Sequence, residues 1–147
     1  MEKDLYHNIV FIKFKKHFPK TTEQEINEYF NFKEKEKIFC EYCKIELKVH
    51  QKYPYSDAPS LDHKIPKTRD GKNEFDNIAI TCFQCNVVKG TMFAETYLKM
   101  LELLSVDKKW SERIRAELFL GRKANMLSRK NKKTKKPLSQ EELFNFV

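Results

Sequence analysis

Four cysteines in two short pairs, Cys40-x-x-Cys43 and Cys82-x-x-Cys85, constrain this chain more than any other feature. A two-residue gap rarely suits a structural disulfide, and thioredoxin-type redox chemistry uses one such pair, not two. Two pairs are the arithmetic of a tetrathiolate zinc site, in which each short loop supplies two soft ligands to a tetrahedron. Cys40, Cys43, Cys82 and Cys85 are therefore the expected ligands of a structural Zn2+. The stretch between the pairs, 38 residues from Lys44 to Thr81, exceeds the roughly 15–20 of a simple zinc ribbon. A folded insert must lie between the two knuckles.

That insert carries chemistry. It reads Leu61-Asp62-His63-Lys64-Ile65-Pro66, then the turn-rich Thr68-Arg69-Asp70-Gly71-Lys72-Asn73, then Phe75-Asp76-Asn77-Ile78. After the second knuckle come Asn86 and Lys89-Gly90. Ser60 to Ile65 is expected to form a short strand stopped by Pro66, and Ile78 to Thr81 a second. A helix should follow Cys82. Asp62 and Asn86 offer hard oxygen donors of the kind Mg2+ or Mn2+ takes. His63 is a candidate general base. Neighbours on a strand point to opposite faces, so Asp62 and His63 share one site only if the strand is locally distorted.

These residues resemble the HNH endonuclease family, specifically its zinc-knuckle, ββα-metal subgroup. The resemblance rests on Asp62-His63 with Ile65-Pro66, Asn77 ahead of an apolar strand, and Cys82-x-x-Cys85-Asn86 leading to Lys89-Gly90. Asn86 stands where the family often has histidine. The resemblance covers Cys40 to Gly90, about a third of the chain. It implies an α+β fold: a ββα-metal core, a short antiparallel hairpin plus helix, on a four-cysteine zinc site with helices on either side. It further implies metal-dependent cleavage of DNA to 5′-phosphate and 3′-hydroxyl ends. His63 would be the base, and Asp62 and Asn86 would hold one catalytic Mg2+ or Mn2+. Asn77 would fasten the loop that orients the His63 ring.

The flanks match nothing that names a function. Residues 1–39 are read as a helical flank, with a Thr22-x-x-Glu25 capping box ahead of Ile26, Tyr29 and Phe30. Residues 40–92 are the metal-binding core. In 93–127, Phe93, Tyr97, Leu98, Leu101 and Leu104 mark one amphipathic helix, and Ile114, Leu118 and Phe119 a second capped by Ser111, both stripes facing the core. Trp110 is expected to fill core as well. Residues 128–147 form a basic tail: six of the eight residues from Arg129 to Lys136 are Lys or Arg, and Ser139-x-x-Glu142 opens a last short helix. His7, His17 and His50 have no context that assigns them a role.

With 29 Lys+Arg against 21 Asp+Glu, the net charge of +8 favours a polyanionic partner. Double-stranded DNA is the expected one. Lys67, Arg69 and Lys89 are candidate phosphate clamps or equally plain solvated charge; Arg129, Lys130, Lys132 and Lys133 would add sequence-independent affinity. No apolar run is long enough to span a membrane, and no secretory leader is read. A cytoplasmic protein of bacterial or phage origin is expected. Cutting both strands would need a homodimer or two successive nicks. The competing function is a non-catalytic zinc-ribbon module that binds nucleic acid, but such a binder needs no oxygen ligands and base at Asp62, His63 and Asn86.

Overall fold

The computed structural model describes residues 2–31, 35, 37–48, 56–105 and 108–134. Their order is α1 (Glu2–His17), α2 (Glu23–Phe30), β1 (Pro59–His63), β2 (Ile78–Cys82), α3 (Phe83–Lys89), α4 (Ala94–Leu104) and α5 (Lys108–Thr134). The α+β class and the hairpin-plus-helix unit read from sequence are both found. β1 and β2 pair antiparallel, with Asp62 opposite Ala79 and His63 opposite Ile78. α3 follows β2 without a loop and packs against β1 and α5.

Local chemistry explains the boundaries. Thr22 caps α2 as a full capping box: its Oγ1 accepts from Glu25 N at 3.2 Å, and Glu25 Oε2 accepts from Thr22 N at 2.7 Å. β1 ends at His63, two residues sooner than expected, and Pro66 is not what stops it. The cause is Asn77, whose carboxamide accepts from Ile65 N at 2.8 Å and donates to Ile65 O at 3.1 Å. It takes the groups that a continuing ladder would use. The loop then turns tightly at Gly71, where a Cβ would collide with the Ile65 carbonyl.

The core gathers Val10 and Phe14 of α1, Ile26 of α2, Leu47, the whole of β2, Val88 of α3 and Tyr97 of α4. Aromatic rings extend it toward the hairpin loop: Phe14 meets Phe30 at 4.7 Å, and Phe18 and Tyr29 meet Phe75 at 4.9 and 5.2 Å. Two expectations are corrected here. Phe93, Leu98 and Leu118 are exposed rather than turned to the core, and so is Leu103, at 75%. α5 starts at Lys108, so Ser111 lies inside it and is not its cap. The same helix runs through Thr134, so the basic run from Arg129 begins as helix. The sequence-based readings at Trp110, His7, His50 and 135–147 concern side chains or residues outside those described. Among the described residues, no helix is long and apolar enough to cross a membrane.

Candidate active site and metal centre

The two knuckles close on each other. Phe39 and Glu46 form an isolated bridge that folds the first into a small loop, and Lys44 supplies its left-handed residue at φ 63°. Cys43 N donates to Cys40 Sγ at 3.5 Å, and Cys85 N donates to Cys82 Sγ at 3.3 Å. Backbone amides are thus aimed at sulfurs, which suits thiolates better than thiols. All four sulfurs lie within 4.8 Å of one another, and Cys43 and Cys82 are 3.7 Å apart. Sulfurs at ~2.3 Å from a zinc ion form a tetrahedron with edges of about 3.8 Å. The cluster fits zinc. Arg115 of α5 adds a cation beside it, with Nη2 donating to Cys85 Sγ at 3.4 Å and to Gln84 Oε1 at 3.3 Å.

The hairpin and α3 bring the other candidates together. Asp62, His63 and Asn86 all line one cavity of about 250 Å3, with Lys67, Thr68, Gly90 and Thr91 on its wall. Asn86 sits on the second half of α3's first turn, and its Nδ2 donates to Ser60 Oγ at 2.6 Å and Leu61 O at 2.9 Å. That fixes the amide, and its Oδ1 has no hydrogen-bond partner among the described residues.

Residues 40–91 match the model of the HNH endonuclease family. No curated protein and no solved structure matches the chain. The helices α1, α2, α4 and α5 lie outside the HNH match.

Within the matched stretch, Asp62 is held by two groups on one oxygen. Tyr42 Oη donates to Oδ2 at 2.7 Å, and Lys89 Nζ pairs with the same oxygen at 2.9 Å. Its Oδ1 has no partner among the described residues. Burial pushes the Asp62 carboxyl above its ordinary range, opposed by Lys89, Tyr42 and His63. Burial, and then the Asp62 charge, pushes the Tyr42 phenol far up, so it stays a donor. Lys89 is fully buried, and its ammonium also donates to His63 O at 2.8 Å. It is therefore not a surface phosphate clamp, a correction to the sequence reading. An ammonium with no access to water persists only where a carboxylate and a carbonyl receive it.

The remaining predicted residues are distributed as follows. Asn77 spans the loop after β1, donating to Lys72 O at 2.9 Å as well as Ile65 O. Lys67 is exposed on the cavity wall. Arg69 is exposed too, with its guanidinium 5.0 Å over the Phe93 ring. Arg129 is exposed on α5; Lys130, Lys132 and Lys133 are in that helix, their side chains outside those described.

Three residues near the site were missed. Tyr42 reads as a spacer inside a knuckle, and nothing in the sequence links it to Asp62. Asn73 reads as turn chemistry, yet its Oδ1 lies 2.6 Å from His63 Nε2. His17, at the end of α1, sets its ring 5.5 Å from that of His63 in an edge-on arrangement. Burial, then His63, Lys67 and Lys16, hold the His17 imidazole below its ordinary value.

Proposed function

We propose that this chain is a metal-dependent DNA endonuclease or nickase that hydrolyses phosphodiester bonds and leaves 5′-phosphate and 3′-hydroxyl ends. The observation that carries the reading is that Asp62, His63 and Asn86 line one cavity within the HNH match. Asp62 and Asn86 would hold a single Mg2+ or Mn2+, and the unpaired Oδ1 of each is a hard donor suited to it. When bound, such an ion stabilises charge on the scissile phosphate and the departing 3′ oxygen.

The chain's own residues do the rest. His63 accepts the proton of the attacking water as general base. Tyr42 and Lys89 hold Asp62 by Oδ2, so the carboxylate does not rotate away from the cavity. Asn77 fastens the loop between Ile65 and Lys72, the segment that leads away from His63. Lys67 and Arg69 contact phosphates of double-stranded DNA, and Arg129, Lys130, Lys132 and Lys133 strengthen binding by counterion release. Zinc on Cys40, Cys43, Cys82 and Cys85 has a structural part: it ties β2 and α3 to the knuckle that carries Tyr42. Cleavage of both strands follows from two nicks or from a homodimer.

The test is end chemistry. Supercoiled plasmid is incubated with zinc-loaded protein and Mg2+ or Mn2+, and the nicked product is treated with DNA ligase. Resealing without prior end repair is the expected result, since ligase requires a 5′-phosphate beside a 3′-hydroxyl. Retardation of plasmid without nicking, across both metals, would favour the non-catalytic zinc module.

A further inference from the structure

The HNH match stops short of α1, yet α1 reaches the proposed base. His17, the last residue of this helix, makes two contacts with the hairpin: its ring lies against the His63 ring, and its carbonyl accepts from Asn73 Nδ2 at 3.4 Å. The second contact determines how the Asn73 amide is oriented. A backbone carbonyl only accepts, so the NH2 end of Asn73 faces His17 and the oxygen end faces His63. A carboxamide oxygen also only accepts. The ring nitrogen 2.6 Å away, Nε2 of His63, must therefore carry the hydrogen. In the neutral ring the lone pair then resides on Nδ1.

We propose that Asn73, oriented by the carbonyl of His17 at the end of α1, is a positioning residue for His63: it fixes the Nε2–H tautomer and leaves Nδ1 as the nitrogen that receives the proton. The inference rests on His63 being the base of the proposed reaction. Asn73 is exposed, so water competes for the same bond, and its value lies in geometry. The loop that carries it is anchored on either side. Asn77 Nδ2 donates to Lys72 O at 2.9 Å, and Gly71 N donates to Pro66 O at 3.0 Å. Phe75, two residues on, packs among Phe14, Phe18, Tyr29 and Phe30. The N-terminal helices thereby hold the loop, the loop holds Asn73, and Asn73 holds the ring. No proton leaves Nε2 in this arrangement; the proton taken from water adds at Nδ1 and gives an imidazolium with both nitrogens protonated, the Nε2–H still bonded to Asn73.

The experiment reads tautomer and rate separately, on the full zinc-loaded chain. Two-bond 1H–15N spectra at about pH 8.5, where imidazole is neutral, report which nitrogen of His63 carries hydrogen; the signals are assigned by their loss in His63→Ala. The expected result is a dominant Nε2–H form in the parent chain, a mixture in Asn73→Leu, and recovery of Nε2–H in Asn73→Asp, which keeps an acceptor oxygen. Plasmid nicking should fall on the order of tenfold in Asn73→Leu, a fraction of the ~10²–10⁴ of a whole general base, and recover in Asn73→Asp. A dominant Nδ1–H form in the parent chain overturns the proposal. So does an unchanged tautomer and rate in Asn73→Leu. A parent chain that shows the Nε2–H form but nicks nothing instead defeats the assigned nuclease function.

Discussion

Replacing Lys89 with methionine removes the counter-charge from a carboxylate with almost no access to water. Lys89 is 0% and Asp62 6% exposed at the side chain, with 2.9 Å between ammonium and carboxylate. Methionine keeps most of the volume, so the loss is electrostatic. Breaking a buried pair by deleting one partner costs about 3–5 kcal/mol, because the other charge is left stranded. The loss should depend on pH in a definite direction. Burial already raises the Asp62 carboxyl, and Lys89 is first among the groups that oppose the rise. Without the ammonium the carboxyl moves higher still. A carboxyl raised on folding contributes stability below its unfolded value of about 3.9, and that contribution disappears as pH rises through the folded value. The Lys89→Met deficit should therefore be larger at about pH 8 than at about pH 5, since acid favours the protonated carboxyl. Urea unfolding of zinc-loaded protein, without Mg2+ or Mn2+, measures it. Adding Asp62→Asn to Lys89→Met should restore much of the loss at the higher pH. A deficit under about 1 kcal/mol at both pH values, or no recovery in the double variant, would refute the buried-pair argument.

Other consequences are equally specific. Metal analysis should find one zinc per chain, and Cys40→Ser should give insoluble or unfolded protein, because zinc binding at such a site is folding free energy; a folded, zinc-free preparation would contradict this. His17 makes a separate pH effect: its imidazole is held below the ordinary value of 6.5, so its share of stability is present above that value and lost as pH falls through the lower folded one. His17→Gln should flatten the fall in thermal midpoint on acidification, and an unaltered slope would count against it. Replacing Arg129, Lys130, Lys132 and Lys133 with glutamine should lower the slope of log affinity against log salt by about three to four units, near 0.9 per neutralised phosphate contact. An unchanged slope in a filter-binding titration would exclude that end of α5 from the interface.

Local patterns announced much of this architecture. The capping box of α2, the two strands, and the helix after the second knuckle are each short-range features, set by turn residues, β-branched runs and spacing. The four sulfurs were legible for the same reason, since a knuckle fixes two ligands within four residues. What escaped is long-range. Tyr42 lies twenty residues from Asp62, and His17 lies still further from His63, and no periodicity encodes either contact. Lys89 looks like any surface lysine until α3 is packed against β1. The end of β1 was misjudged because a side-chain amide, that of Asn77, displaced the ladder where proline seemed the obvious stop. Phe93, Leu98 and Leu118 show the converse: helical spacing marks an apolar stripe without saying whether anything covers it.

The central claim is that His63 acts as a base in a site it shares with Asp62 and Asn86, and a single comparison tests it most directly. Zinc-loaded parent chain and His63→Ala are incubated with supercoiled plasmid over a series of Mn2+ concentrations, with circular dichroism to verify that both are folded. The parent should nick only when Mg2+ or Mn2+ is supplied, and His63→Ala should remain folded and bind plasmid yet nick ~10²–10⁴-fold more slowly, the worth of a general base. Equal nicking by the two proteins would contradict the account.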